Sequence, residues 1–127
     1  MDIIIESTKA FEKDIAKLGK DERDLVIDKI NDCASLFPNN KAAIYRKMHR
    51  PHNLLLINGY ESSLYTLLVT RKLRVILTVD EDPIFDRTIF TLFRIVHHDQ
   101  LDKAYRSIAE SLHQELLDLE RQPAQIS

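Results

Sequence analysis

Three basic side chains, Arg71, Lys72 and Arg74, crowd the stretch TRKLRVIL, and two histidines, His97 and His98, stand side by side further along the chain. Guanidinium and ammonium groups grip phosphate through charge-assisted hydrogen bonds, bidentate in the case of arginine. Imidazole is the side chain best suited to move protons near neutral pH. A phosphate grip beside a proton carrier would suit chemistry on a phosphodiester. The structural alternatives stay open at this point: Arg74 could pair with Asp80 or Glu81, and the histidines could cap or pack. In an extended strand, neighbouring side chains alternate, so His97 and His98 are expected on opposite faces. Asp99 reads as a helix N-cap. Tyr105 falls on the apolar stripe of a helix, where the ring packs and the hydroxyl stays at the rim.

The charge is unevenly spread. Its formal sum is −2, yet between residues 41 and 74 Lys41, Arg46, Lys47, Arg50, Arg71, Lys72 and Arg74 face Glu61 alone, with His49 and His52 alongside. A basic segment in an otherwise acidic chain suggests a local polyanion site, to which Arg46 and Lys47 would add phosphate contacts. Several chemistries lack their residues. His49 and His52 have no cysteine or carboxylate beside them to complete a zinc site, so no metal is expected. The acidic run from Asp80 to Asp86 lacks the glycine and terminal glutamate of a calcium loop and is broken by Pro83. No phosphate-binding glycine loop, nucleophile elbow or CxxC pair occurs, and no cofactor is expected.

At 127 residues, 44% of them hydrophobic and 30% charged, the chain has the size and composition of one globular domain, expected over residues 1–120 with a polar tail at 121–127. The lone Cys33 can form no internal disulfide, and the start of the chain carries no basic, then apolar, leader; both point to the cytoplasm. No apolar run nears the roughly 20 residues that cross a bilayer, so no membrane partner is expected.

Periodicity then supplies the scaffold. DIIIE at 2–6 is a short buried strand. Ser7 or Thr8 caps a helix carrying Phe11, Ile15 and Leu18 on one face, with Gly19 as its C-terminal cap. A second helix from about Asp21 stacks Leu25, Val26, Ile30, Cys33, Ala34 and Phe37, until Pro38-Asn39-Asn40 stops it. Residues 41 to 62, broken by Pro51, Asn53, Asn58 and Gly59, are expected as a loop in which only LLLI at 54–57 could form a short strand. From Ser63 the period becomes two, giving a hairpin through Arg71-Lys72 into LRVILTV. An Asp82-Pro83 turn follows, and TIFTLFRIV at 88–96 is apolar on both faces, as a central strand would be. A helix with Leu101, Ala104, Tyr105, Ile108, Leu112 and Leu119 closes the chain. The order β-α-α-β-β-β-α predicts an α+β fold: an N-terminal strand and helix hairpin packed on a small antiparallel sheet, whose other, open face would carry Arg74.

This order, with the stretches FEKDIAKL, SLYTLLVTRKLRVILTVDED and IFTLFRIVHHDQLDKAY, resembles the RelE/ParE superfamily of bacterial type II toxins, over residues 3 to 108. The resemblance implies a cognate antitoxin covering the active surface, as a homodimer or a toxin–antitoxin hetero-oligomer. In the RelE branch it implies ribosome-dependent, metal-independent cleavage of mRNA, with the RNA 2′-hydroxyl as nucleophile; in the ParE branch, inhibition of DNA gyrase. It matches Arg74 to the family arginine of the third strand, His97 or His98 to an acid or base, and Tyr105 to a tyrosine near the site. Arg71 and Lys72 would hold phosphate. Thr66 and Leu68 stand where RelE-like enzymes carry lysines, and Asp99 where they carry an arginine. A catalytically inactive, antitoxin-binding homologue is the other alternative.

Overall fold

A computed structural model of the protein describes residues 1–49, 56–57, 60–61 and 64–121. Strand β1, Asp2–Ser7, leads into helix α1, Lys9–Lys17. Of the two candidate caps, Thr8 starts the helix: its backbone is extended and its hydroxyl accepts the Phe11 N–H at 3.1 Å. Gly19 does not close α1. Leu18 turns the chain in extended backbone, its N–H bonding back to the Ile15 carbonyl, and Gly19, at φ −66°, opens helix α2, Lys20–Leu36. Helix α2 buries Val26, Ile30 and Cys33, and Phe37 follows fully buried in a 3-10 turn.

The expected loop at 41 to 62 is partly regular. Residues Lys41–Lys47 form helix α3, which turns Ile44 into the core and runs straight into strand β2, Met48–His49. One buried apolar side chain per short helix is too little for a periodicity to register. Strands β3, Leu56–Ile57, and β4, Tyr60–Glu61, pair with each other. Leu54, Leu55 and the breakers Pro51, Asn53, Asn58 and Gly59 lie outside the described residues, as does the tail from 122 to 127.

Strands β5, Leu64–Leu68, β6, Leu73–Asp82, and β7, Arg87–His97, form the hairpin and third ladder member, and helix α4, Leu101–Arg121, follows a 3-10 turn at His98–Gln100. The sheet order is β1-β7-β6-β5-β2. It is mixed, not wholly antiparallel, because β1 lies parallel along the outer edge of β7, Ile3 opposite Thr88 and Ile5 opposite Phe90. The long helical connection between β1 and the hairpins is what parallel pairing requires. Among the described residues no helix is long and apolar enough to cross a membrane.

Both faces of the sheet are clad. Leu73, Val75, Leu77 and Val79 of β6, with Phe90, Leu92 and Ile95 of β7, pack under α1, α2 and α3. Leu64, Ile76 and Val96 pack on the other face under Tyr105 and Ala109 of α4. The Arg74 face is therefore covered by α4 over most of its breadth instead of standing open, since an exposed Ile76–Val96 surface would leave apolar area in water.

Strand β1 ends opposite Leu92. Beyond that point α1 takes its place on β7. The Thr8 N–H bonds the Leu92 carbonyl at 3.0 Å and its hydroxyl the Phe93 carbonyl at 2.9 Å. Asp14 Oδ2 then accepts the Ile95 N–H at 3.0 Å and the Arg94 Nε–H at 2.6 Å, with Arg94 Nη2 on Oδ1 at 3.2 Å. The register of β6 and β7 shifts here, from Ile76 opposite Arg94 to Leu77 opposite Leu92, so a bulge swings Arg94 toward α1. Removing Asp14 would leave a buried N–H and a half-buried guanidinium unsatisfied. Asp14→Ala is expected to lower stability by about 2–3 kcal/mol, roughly 10 °C in Tm, in a thermal melt followed by circular dichroism; an unchanged Tm would remove Asp14 as the clamp.

Helix α3 is held to β6 by Glu81, which accepts from Lys41 Nζ at 2.5 Å and from the Tyr45 hydroxyl at 3.0 Å. The Lys41 hydrogen bond holds the Glu81 carboxyl below its ordinary value of 4.5, while burial, with Glu81 adding, pushes the Tyr45 phenol up. A carboxylate with a depressed pKa stabilises the fold above its ordinary pKa and loses that contribution as pH falls through the depressed value. Glu81→Gln should therefore cost about 1 kcal/mol or less at pH 7, and the gap to the parent Tm should narrow as the pH is taken below the ordinary value of 4.5 and through the depressed one. A gap that stays constant with pH would show that the charge contributes nothing.

Candidate phosphate and proton-transfer site

The β5–β6 turn brings the basic cluster to one end of the sheet. Thr70 builds that turn: its hydroxyl accepts the N–H groups of Lys72 and Leu73 at 3.2 and 3.1 Å, and the Val69 N–H bonds the Leu73 carbonyl. Arg71 and Lys72 point into solvent at its tip. Arg74, half-buried, folds back over the turn, and its Nη1 donates to the carbonyls of Thr70 at 2.6 Å and of Arg71 and Leu73 at 3.1 Å each. It pairs with neither Asp80 nor Glu81. Nε and Nη2 of Arg74 have no partner among the described residues, so the side chain locks the turn and still presents donors.

The exit of β7 lies against this turn. Leu73 is in register with His97, Arg74 with Val96, and the His98 N–H donates to the Lys72 carbonyl at 2.7 Å. The turn and the histidine pair are therefore one structural unit, joined by a short backbone hydrogen bond. The histidines are not sent to opposite faces. The strand ends at His97 and the backbone turns into a 3-10 turn at His98, so alternation stops between them. Their rings meet edge to face with centroids 4.7 Å apart. Both Nδ1 atoms turn to one carboxylate: His97 Nδ1 lies 3.3 Å from Asp99 Oδ2 and His98 Nδ1 3.0 Å from Asp99 Oδ1. Asp99 lies inside the 3-10 turn that precedes the final helix, and His97 caps that turn, its Nδ1 accepting the Asp99 N–H at 3.4 Å.

Tyr105 is fully buried, and its hydroxyl donates to the Leu64 carbonyl at 2.6 Å. The phenol therefore sits inside the core instead of at its rim, and joins α4 to the start of β5. Arg46 and Lys47 lie exposed in the last turn of α3, and Arg46 Nε bonds the Ala42 carbonyl at 3.3 Å. Because Met48 pairs with Leu67, that turn ends two strands away from Arg74, along the same end of the sheet. The geometry thus brings Arg71, Lys72, Arg74, His97 and His98 together, sets Arg46 and Lys47 at the margin, and leaves Tyr105 apart.

A groove of about 400 Å³ opens between β7 and α4, lined by Arg94, His97, Gln100, Lys103, Ala104 and Ser107. Sequence reasoning passed over Arg94, Gln100 and Lys103. The available signal for Arg94 was a single cation inside TIFTLFRIV, which a central strand tolerates only with a partner; that partner, Asp14, is distant in sequence and could not be identified without the fold. Lys103 and Gln100 carry no such signal, being ordinary polar positions of an amphipathic helix. The Arg94 charge is already matched by Asp14, so Lys103 supplies the groove's uncompensated cation among its lining residues.

Tyr105→Phe keeps the ring and deletes only the buried donor. It is expected to lower stability by about 1–3 kcal/mol in denaturant or thermal unfolding; no change would mean that the Leu64 carbonyl is satisfied without it.

No family model matches the chain, and no curated protein matches it. Among solved structures, the chain is similar to one in the crystal structure of the toxin–antitoxin complex RelBE2 from Mycobacterium tuberculosis, at 13% identity and a TM-score of 0.49, covering 77% of this chain and 100% of that one. It is also similar to a chain of the RelB–RelE antitoxin–toxin complex from Methanococcus jannaschii, at 17% identity and a TM-score of 0.47, covering 78% of this chain and 96% of that one.

Proposed function

We propose that the chain is a single-domain toxin of a type II toxin–antitoxin pair, acting in the cytoplasm as a metal-independent endoribonuclease on ribosome-bound mRNA, and held silent by its antitoxin. The observation that carries this reading is the hydrogen bond from the His98 N–H to the Lys72 carbonyl, which ties a basic turn directly to two imidazoles. In the reaction, an imidazole takes the proton of the RNA 2′-hydroxyl and the 2′-oxygen forms a bond to phosphorus. The bond to the 5′-oxygen breaks, and an imidazolium returns a proton to that oxygen, leaving a cyclic phosphate and a 5′-hydroxyl. Arg71, Lys72 and the remaining donors of Arg74 stabilise the charge gathering on the non-bridging oxygens. Asp99, its carboxylate on His98 Nδ1 and its own N–H donating to His97 Nδ1, holds both imidazoles at the turn. Arg46 and Lys47 extend the basic margin along which an RNA strand would run.

One observation favours a second reading, a gyrase-directed or catalytically silent, antitoxin-binding homologue: Arg74 Nη1 is already spent on three carbonyls of its own turn. The two readings separate when purified protein is mixed with ribosomes stalled on a defined mRNA and new 5′ ends are mapped by primer extension. Cleavage at the vacant codon is expected, lost in Arg74→Ala and reduced about a hundred- to ten-thousand-fold in His97→Ala/His98→Ala. Because Arg74 also locks the turn, Arg71→Ala/Lys72→Ala, with both side chains exposed, serves as the variant that keeps the parent Tm while losing cleavage. Intact mRNA with the parent protein would overturn the nuclease reading in favour of the second.

A further inference from the structure

The His97–His98–Asp99 corner has a geometry that proton transfer alone does not require. Two imidazoles and a carboxylate, one ligand atom from each, lie within 4.8 Å of one another. The two nitrogen-to-oxygen separations are 3.0 and 3.3 Å. An ion held by imidazole and carboxylate at about 2.0–2.1 Å in a tetrahedral site spaces its ligand atoms about 3.3 Å apart. The two distances run to different oxygens of the carboxylate, so Asp99 would hold such an ion through both oxygens or turn one of them to both rings. The three ligand atoms, already within 4.8 Å of one another, have to draw in by at most about 1.5 Å, and side chains at 44%, 42% and 67% exposure are free to rotate that far.

The contacts to be given up are weak. His97 Nδ1 would release its 3.4 Å bond from the Asp99 N–H, which can turn to water at this exposed corner. The rings are held in place by elements that do not depend on the ion: His97 by the β6–β7 ladder and His98 by its N–H on the Lys72 carbonyl. The start of α4 opposes a cation through its backbone dipole, and the Asp99 carboxylate offsets it at contact distance. Nitrogen donors with one carboxylate select a first-row transition ion over magnesium or calcium, which prefer oxygen ligands throughout. Three protein ligands leave at least one position for water.

We infer that His97, His98 and Asp99 form a surface site for a divalent transition ion of the zinc class, whose occupancy takes the imidazoles out of proton transfer. The inhibitory part rests on the nuclease reading; the binding part does not. Zinc added to the metal-free protein should bind at one site per chain by calorimetry, and cobalt should give the visible bands of a low-coordinate nitrogen–oxygen site. His97→Ala, His98→Ala and Asp99→Asn should each weaken binding at least about tenfold, and His49→Ala should not. Binding that persists in all three variants, or no saturable binding, overturns the site. If binding follows the three residues but zinc leaves mRNA cleavage unaltered, the inhibitory role falls and the site stands. If binding follows them and the parent protein cleaves no mRNA, the site again stands and it is the nuclease reading that fails.

Discussion

The fold depends on how β7 is completed after β1 runs out. A strand with an unpaired outer edge in a partly buried setting exposes N–H and C=O groups that must find partners. Along Arg87 to Leu92 the partner is β1; from Leu92 on it is Thr8 and then Asp14, a hydroxyl and a carboxylate reaching from α1. Asp14 also binds Arg94, which the bulge in β7 has turned outward. Thr8 terminates the parallel ladder, and this one carboxylate then fixes α1 against the last residues of β7. The groove and the histidine corner both follow from that termination.

Burial on both faces explains why so few charges occur within the three central strands. Residues on β6 alternate between two helical covers, so Leu73, Val75, Leu77 and Val79 serve one cover and Ile76 the other. Polar groups survive in the centre only as threonines or with a partner, as Arg94 does with Asp14. Charge is otherwise displaced to the ends of the strands. One end carries the rigid Asp82–Arg87 turn, where Asp82 accepts the N–H groups of Ile84 and Phe85 and Asp86 adopts a left-handed φ of 50°. The other carries the Thr70 turn and the histidines.

Local pattern in the sequence revealed the long elements. The stripe of Phe11 and Ile15 and the alternation from Leu64 onward each report on one helix face or one strand, and both are present in the fold, with Leu18 packing against the core just past the helix end. The pattern could not report which edge β1 joins, because a strand of isoleucines fits any edge; the parallel partner is set by Leu92 and Phe90 far along the chain. Nor could it report α3, in whose short span Ile44 is the buried residue and Tyr45 packs beside it only in part. The open face expected for Arg74 failed for a related reason. An apolar stripe on the last helix announces a buried face but not which side of the sheet receives it.

For the candidate site, types and neighbourhood were legible while orientation was not. Arg71, Lys72 and Arg74 could be read as a turn cluster because they interrupt two alternating runs. Strict alternation sends His97 and His98 to opposite faces, but the strand ends at His97, and the 3-10 turn at His98 instead aims both Nδ1 atoms at Asp99. That single change of backbone geometry alters the chemistry available. Diverging imidazoles could share a phosphate only by reaching around the strand, whereas converging ones share a carboxylate, and can accept and return a proton without a long displacement. The Lys72 carbonyl, bonded to the His98 N–H, makes the position of the basic turn and the position of the imidazoles one variable. In the proposed reaction, a shift of the turn large enough to release phosphate would also move the imidazoles, coupling binding to chemistry through one backbone hydrogen bond.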